Sequence, residues 1–106
     1  MDAVTSHTFT TEVLESAEPV LVDFTAAWCP PCRAMDPVLA SLTTVRVVSV
    51  DVDDQPQLAA DWGVLSMPTL LLFRAGAPIA KLVGARPKRQ LELELEEALE
   101  QQPAAR

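Results

Sequence analysis

The chain has 106 residues, 49% of them hydrophobic, and carries a formal net charge of -7 with two cysteines and one histidine. That length suits one domain, and the apolar half is enough for a core without disulfide staples. The acidic balance argues against a phosphate-tracking nucleic-acid binder, which needs clustered Lys and Arg, so the expected partners are proteins or small molecules.

In chain order, "MDAVTSHTFTTEV" has neither the basic start nor the apolar run of a leader, and no segment reaches the roughly 20 apolar residues that a membrane span needs. The expectation is a cytoplasmic protein with no membrane association. Residues 8–16 read as a helix with Thr8 as candidate N-cap. "PVLVDFTA" (Pro19 to Ala26), "VRVVSVDV" (Val45 to Val52) and "PTLLLFRA" (Pro68 to Ala75) are near-continuous apolar runs, as central strands covered on both faces require. Helices are predicted over Pro31 to Thr43 and Gln57 to Trp62, and a turn at Ala75 to Pro78 leads into a short strand, Ile79 to Val83, closed by Gly84. "LELELE" (Leu91 to Glu96) alternates like a strand. However, Leu91, Leu95 and Leu99 recur at helical spacing among strong helix formers, and Pro87 suits a helix start, so Pro87 to Gln101 is predicted helical. Strands alternating with helices and ending in a hairpin plus helix predict an α/β fold: a central mixed sheet with helices on both faces, in one domain over residues 1–106, of which 103–106 form a frayed tail.

Both cysteines lie in "TAAWCPPCR", Thr25 to Arg33. A metal site would need about four ligands, whereas the one histidine, His7, lies far off in sequence. A structural staple would close a very short loop, and a reducing compartment would open it. The third reading is a redox dithiol between a strand end and a helix start, where the helix dipole stabilises a thiolate. The predicted strand to Ala26 and helix from Pro31 supply that setting, so neither a metal nor any other bound cofactor is expected.

"VLVDFTAAWCPPCR", "MPT" (Met67 to Thr69), "LLFRAG" (Leu71 to Gly76) and "VGA" (Val83 to Ala85) stand in an order and spacing that resemble the thioredoxin family, with a WCPPC active site. The resemblance implies a five-stranded mixed sheet flanked by about four helices. It implies that Cys29 is an exposed nucleophile, Cys32 a buried resolving thiol, and Asp23 a buried carboxyl that exchanges a proton with Cys32 through water. Desolvation gives the physical reason for the last role, because a carboxyl among Val, Leu and Phe has a raised pKa and can act as a base near neutral pH. Pro68 matches a proline held cis against the cysteines. Trp28, Met67, Gly84 and Ala85 match an apolar substrate-docking rim, and Pro37 a proline that kinks the active-site helix. Read without the resemblance, Asp23 is a hydrogen-bonded core residue, Pro68 a trans proline opening a strand, and Trp28 ordinary core, as Trp62 is taken to be.

Four departures stand out: Pro30 where the family usually has Gly, Thr25 where it has Trp, Ser49 where it has Lys near the buried Asp, and a shorter connection after the active-site helix. Pro31 is expected to start the helix, with Cys29 and Pro30 extended before it. Two amides near the Cys29 sulfur are then missing, which leaves a thiolate to the amides of Cys32 and Arg33 and to the helix dipole. The implied function is a monomeric thiol–disulfide oxidoreductase that reduces protein disulfides and is itself re-reduced by an NADPH-dependent thioredoxin reductase. The rival readings are a peptide-binding module with idle thiols, and an exported relative serving cytochrome maturation or disulfide formation.

Overall fold

The computed structural model describes residues 1–101, so the tail expected at 103–106 lies outside the described residues. The two most apolar runs become the two central strands, β2 (Val20–Thr25) and β4 (Thr69–Arg74), each buried at every position but its last. Each must bury both of its faces, so each needs strands on either side and helices above and below. The neighbours are β3 (Arg46–Asp51), β5 (Ala77–Val83) and a two-residue edge strand, β1 (Asp2–Ala3). The sheet order is β1-β3-β2-β4-β5, with β2 parallel to β3 and antiparallel to β4. Together with α1 (Pro30–Ala40), α2 (Pro56–Asp61), α3 (Lys88–Gln101) and a π-helical turn at Thr10–Leu14, this is the thioredoxin fold, a five-stranded mixed sheet with four helical segments.

Alternation along the strands divides the interior in two. Val20, Val22 and Phe24 face one way and join Val48, Val50, Leu71 and Phe73 beneath the π-helical turn and α2. Leu21, Leu70 and Leu72 face the other way, against Met35 and Leu39 of α1 and Leu91 and Leu95 of α3. Leu91 and Leu95 are fully buried while Leu93 is 53% exposed, so the i, i+4 spacing governs "LELELE" and its strand-like alternation does not.

Several boundaries differ from the sequence reading. The first helix shrinks to a turn whose Glu15 N–H reaches Thr10 C=O at 2.8 Å, and Thr8 does not cap it, because Thr8 Oγ1 accepts instead from Thr5 N–H at 2.9 Å. β1 has too few residues to carry a period, although Val4 N–H continues its pairing by donating to Ser49 C=O at 2.8 Å. The hairpin loop is only Ala75 and Gly76, both with positive φ (53° and 82°), so β5 starts at Ala77 and takes Pro78 into an edge strand, where its missing N–H is tolerated. The active-site helix starts at Pro30, one residue earlier than expected, and ends at Ala40. Both prolines thus occupy its first turn, where N–H groups lack intrahelical partners and a proline φ already suits the helix.

Candidate active site

The site is built at the C-terminal end of β2, where the chain turns from strand into α1. Cys29 N–H donates back to Ala26 C=O at 3.3 Å, and Cys29 itself is extended (φ -96°, ψ 108°), as the residue before a proline should be. It is also the N-cap of α1, with its sulfur 3.3 Å from the Cys32 amide that donates to it. Cys29 and Cys32 are joined as a disulfide with Cα atoms 5.2 Å apart. The Arg33 amide, expected to serve the sulfur, is taken by Cys29 C=O at 3.1 Å, because the helix ladder has already begun there.

Accessibility corrects a second expectation. Cys29 is only 3% exposed against 1% for Cys32, so the two hardly differ. Ala26 packs beside them, Val52 and Met67 close over them, and Met67 C=O lies 3.7 Å from the Cys29 sulfur. The Met67–Pro68 peptide bond is cis and Pro68 is buried. Gly84 N–H donates to Pro68 C=O at 2.9 Å, which brings the "VGA" segment beside the proline; Gly84 has φ 96°, a conformation that a side chain would strain. Ala85 next to it is exposed. Trp28 is 64% exposed, which excludes the core reading, and its Nε1–H donates to Asp53 Oδ2 at 2.8 Å. Trp62 lies on the opposite face of the sheet, half-buried against Phe9 and Phe73 with ring centroids 5.7 and 5.0 Å away.

Asp23 is 1% exposed on the α1 side of β2, and its Oδ1 has no hydrogen-bond partner among the described residues, so it is not the satisfied core residue of the plain reading. Burial is the largest cause that raises its pKa to about 7; Asp36 raises it further and Arg33 opposes. The carboxyl lines an open cleft of about 450 Å³ together with Thr25, Ser49, Arg33, Asp36 and Asp51. Two of the departures therefore meet here, for Thr25 and Ser49 are both small walls of this cleft, and Ser49 pairs directly with Asp23 across β2 and β3. Among the described residues, no group of three or more His, Cys, Asp or Glu side chains could hold a metal ion.

Sequence reasoning missed Asp53, which holds Trp28, and the Arg33–Asp36 pair at 3.4 Å. Opposite charges three residues apart after the second cysteine were the available signal for that pair. Nothing in the spacing of Trp28 and Asp53 points to their contact.

A family model described as Thioredoxin matches residues 1–97. The chain is 47% identical over 104 residues to a protein named Thioredoxin from Mycolicibacterium smegmatis, covering 92% of this chain and 93% of that one. It is similar to a Thioredoxin of Alicyclobacillus acidocaldarius (44% identical, 84% and 90% covered) and to Thioredoxin 1 of a Nostoc species (45% identical, 91% and 94% covered).

Proposed function

The chain belongs to the thioredoxin family and is a thiol–disulfide oxidoreductase, in which we propose that Cys29 is the attacking sulfur, Cys32 the resolving sulfur and Asp23 the proton carrier. The observation that carries this reading is the Cys29–Cys32 disulfide at the N-terminus of α1, with the Cys32 amide aimed at the Cys29 sulfur.

In the reduced protein the Cys29 thiolate attacks a substrate disulfide. A Cys29–substrate bond forms, and the first substrate sulfur leaves as a thiolate that takes a proton from water. Cys32 then gives its proton, through water, to the Asp23 carboxylate and attacks the Cys29 sulfur. The second substrate thiolate is expelled, and two electrons have passed to the substrate as the Cys29–Cys32 disulfide forms. A carboxyl with a pKa near 7 is suited to that exchange, since it takes up and gives back a proton around neutral pH. Trp28, Met67, Pro68, Gly84 and Ala85 form the docking rim in this reading, with the Met67 backbone offered to an extended substrate strand. The substrates are disulfide-containing proteins and the electron donor is a thioredoxin reductase. The reading further takes the protein to be a cytoplasmic monomer.

Insulin disulfide reduction, driven by dithiothreitol or by a flavoprotein reductase with NADPH, tests the assignment. Cys29→Ser is expected to abolish turnover, and Cys32→Ser to accumulate a covalent mixed disulfide through Cys29. Turnover that survives Cys29→Ser would refute the assignment.

A further inference from the structure

The cleft over Asp23 has charged walls on three sides. Arg33 and Asp36 come from α1, Asp51 from β3, and Met1, with its α-amino group, from the N-terminus. β2 contributes Thr25 and Asp23, β3 contributes the neutral Ser49 beside Asp23, and the sulfurs of Cys29 and Cys32 lie at the helix start. Arg33 is the one Lys or Arg side chain lining the cleft among the described residues. Arg33 and Asp36 are 47% and 40% exposed, and an ion pair that open has little reason of its own to hold one geometry. A neutral group fixes it: Arg33 Nη2 donates to Thr25 Oγ1 at 2.9 Å. Thr25 stands two residues after Asp23 on β2, so the two side chains share a face, about 7 Å apart along the strand.

We propose that Thr25 anchors the Arg33 guanidinium against the end of β2, and that Arg33 is thereby the positive charge that the Asp23 carboxyl faces across the cleft. Thr25 and Arg33 are positioning residues. They touch neither sulfur nor substrate, and they act through the carboxyl. A longer side chain at position 25 would fill the space that the guanidinium occupies, and a hydrocarbon there would offer it no acceptor. Asp36 pulls in the opposite sense, so the position of Arg33 relative to Asp36, which Thr25 sets, decides how much of the pair's field reaches Asp23 as attraction. The catalytic consequence rests on Asp23 being the proton carrier, whereas the electrostatic relation does not.

The test is a carbon-13 NMR titration of the Asp23 carboxyl in the oxidised protein, where the disulfide removes both thiols from the titration. Arg33→Gln is expected to move the Asp23 midpoint upward by about 0.5 to 1. Thr25→Val is expected to move it upward by a smaller amount, and the double variant no further than Arg33→Gln alone, because both changes remove one interaction. Ser49→Lys in the Arg33→Gln background should bring it back down, since position 49 pairs directly with Asp23. The shifts should persist after acetylation of the Met1 amine. An unchanged midpoint in Arg33→Gln would overturn the proposal, as would Thr25→Val and Arg33→Gln shifts that simply add. A merely structural role for Thr25 would lower the unfolding midpoint without moving the titration. Wild-type turnover in Asp23→Asn, alongside a shifted midpoint in Arg33→Gln, would instead count against the proton-carrier role and leave this proposal standing.

Discussion

The two faces of the sheet are built from the same strands and serve different ends. Beneath the π-helical turn and α2, the buried positions on β2, β3 and β4 are apolar except Thr69, whose hydroxyl donates to Ser66 C=O at 2.6 Å, and Phe9, Trp62 and Phe73 close the face with edge and tilted ring contacts. Beneath α1 and α3, the same alternation places Asp23 in line with Leu21, and the end of that face opens into the cleft. One face is closed by apolar side chains and a satisfied hydroxyl, while the other opens into a cleft and leaves a hydrogen bond unmade at Asp23. A buried, unpartnered carboxyl costs stability, and that cost can be borne because the opposite face carries no such defect.

The largest effect should come from damaging the closed face. Phe73 is 1% exposed and touches both other rings, so Phe73→Ala is expected to cost about 3–5 kcal/mol in urea unfolding while leaving the Asp23 titration where it was. A moved titration would mean that the faces are coupled and would break the comparison.

Repairing the open face should do the reverse. With a native pKa of about 7 against an ordinary value of 3.8, Asp23 holds its proton in the folded protein over a range where the unfolded chain has lost it. Stability therefore falls as pH rises from about 4 to about 7, and the full penalty remains above that. Asp23→Asn is expected to gain roughly 2–3 kcal/mol at pH 8, somewhat less than the pKa difference implies because an amide also wants partners, and almost nothing at pH 4. Urea midpoints of both proteins at the two pH values check the sign. Insulin reduction should slow in the variant.

The closed face was legible in the sequence and the open one only in part, for a physical reason. Runs such as "PVLVDFTA" and "PTLLLFRA" announce strands buried on both faces, and the spacing of Leu91, Leu95 and Leu99 overrides a local alternation, because burial is periodic. The cysteine pair, Asp23 and Pro68 could be picked out because a known pattern includes them. Contacts between side chains distant in sequence carry no period. Arg33 with Thr25, Trp28 with Asp53, and the near-equal burial of Cys29 and Cys32 all depend on how the strand end, the helix start and the Met67 loop come together. The two-residue β1 and the π-helical turn were missed because each is shorter than the pattern that would identify it.

A smaller effect should appear where the open face meets the proposed docking rim. Arg86 donates from Nη1 to both oxygens of Glu94, at 2.8 and 2.7 Å, and from Nη2 to Val83 C=O at 2.7 Å, so it ties α3 to the segment carrying Gly84 and Ala85. The arginine side chain is only 12% exposed, so the pair is worth more than a surface bridge. Arg86→Gln is expected to cost about 1–2 kcal/mol and to raise KM for insulin with kcat unchanged, as loosening of the rim should. An unchanged KM would confine Arg86 to holding α3.

The smallest effect separates the two prolines between the cysteines. An N-cap acceptor takes the amides of the second and third helical residues, and with α1 starting at Pro30 these are Pro31 and Cys32. The Cys32 amide already donates to the Cys29 sulfur at 3.3 Å, while position 31 has none to give. The amide whose absence matters is therefore that of Pro31, whereas sequence alone drew attention to Pro30. Pro31→Ala should add a second donor to the Cys29 thiolate, stabilise the reduced form by about 1.4 kcal/mol, and raise the potential against glutathione by about 30 mV. Pro30→Gly restores an N–H at the first helical position, which does not serve the cap, and should move the potential by only about a third as much. A larger shift from Pro30→Gly than from Pro31→Ala would place the start of the working helix at Pro31 and return the tuning of the thiolate to Pro30.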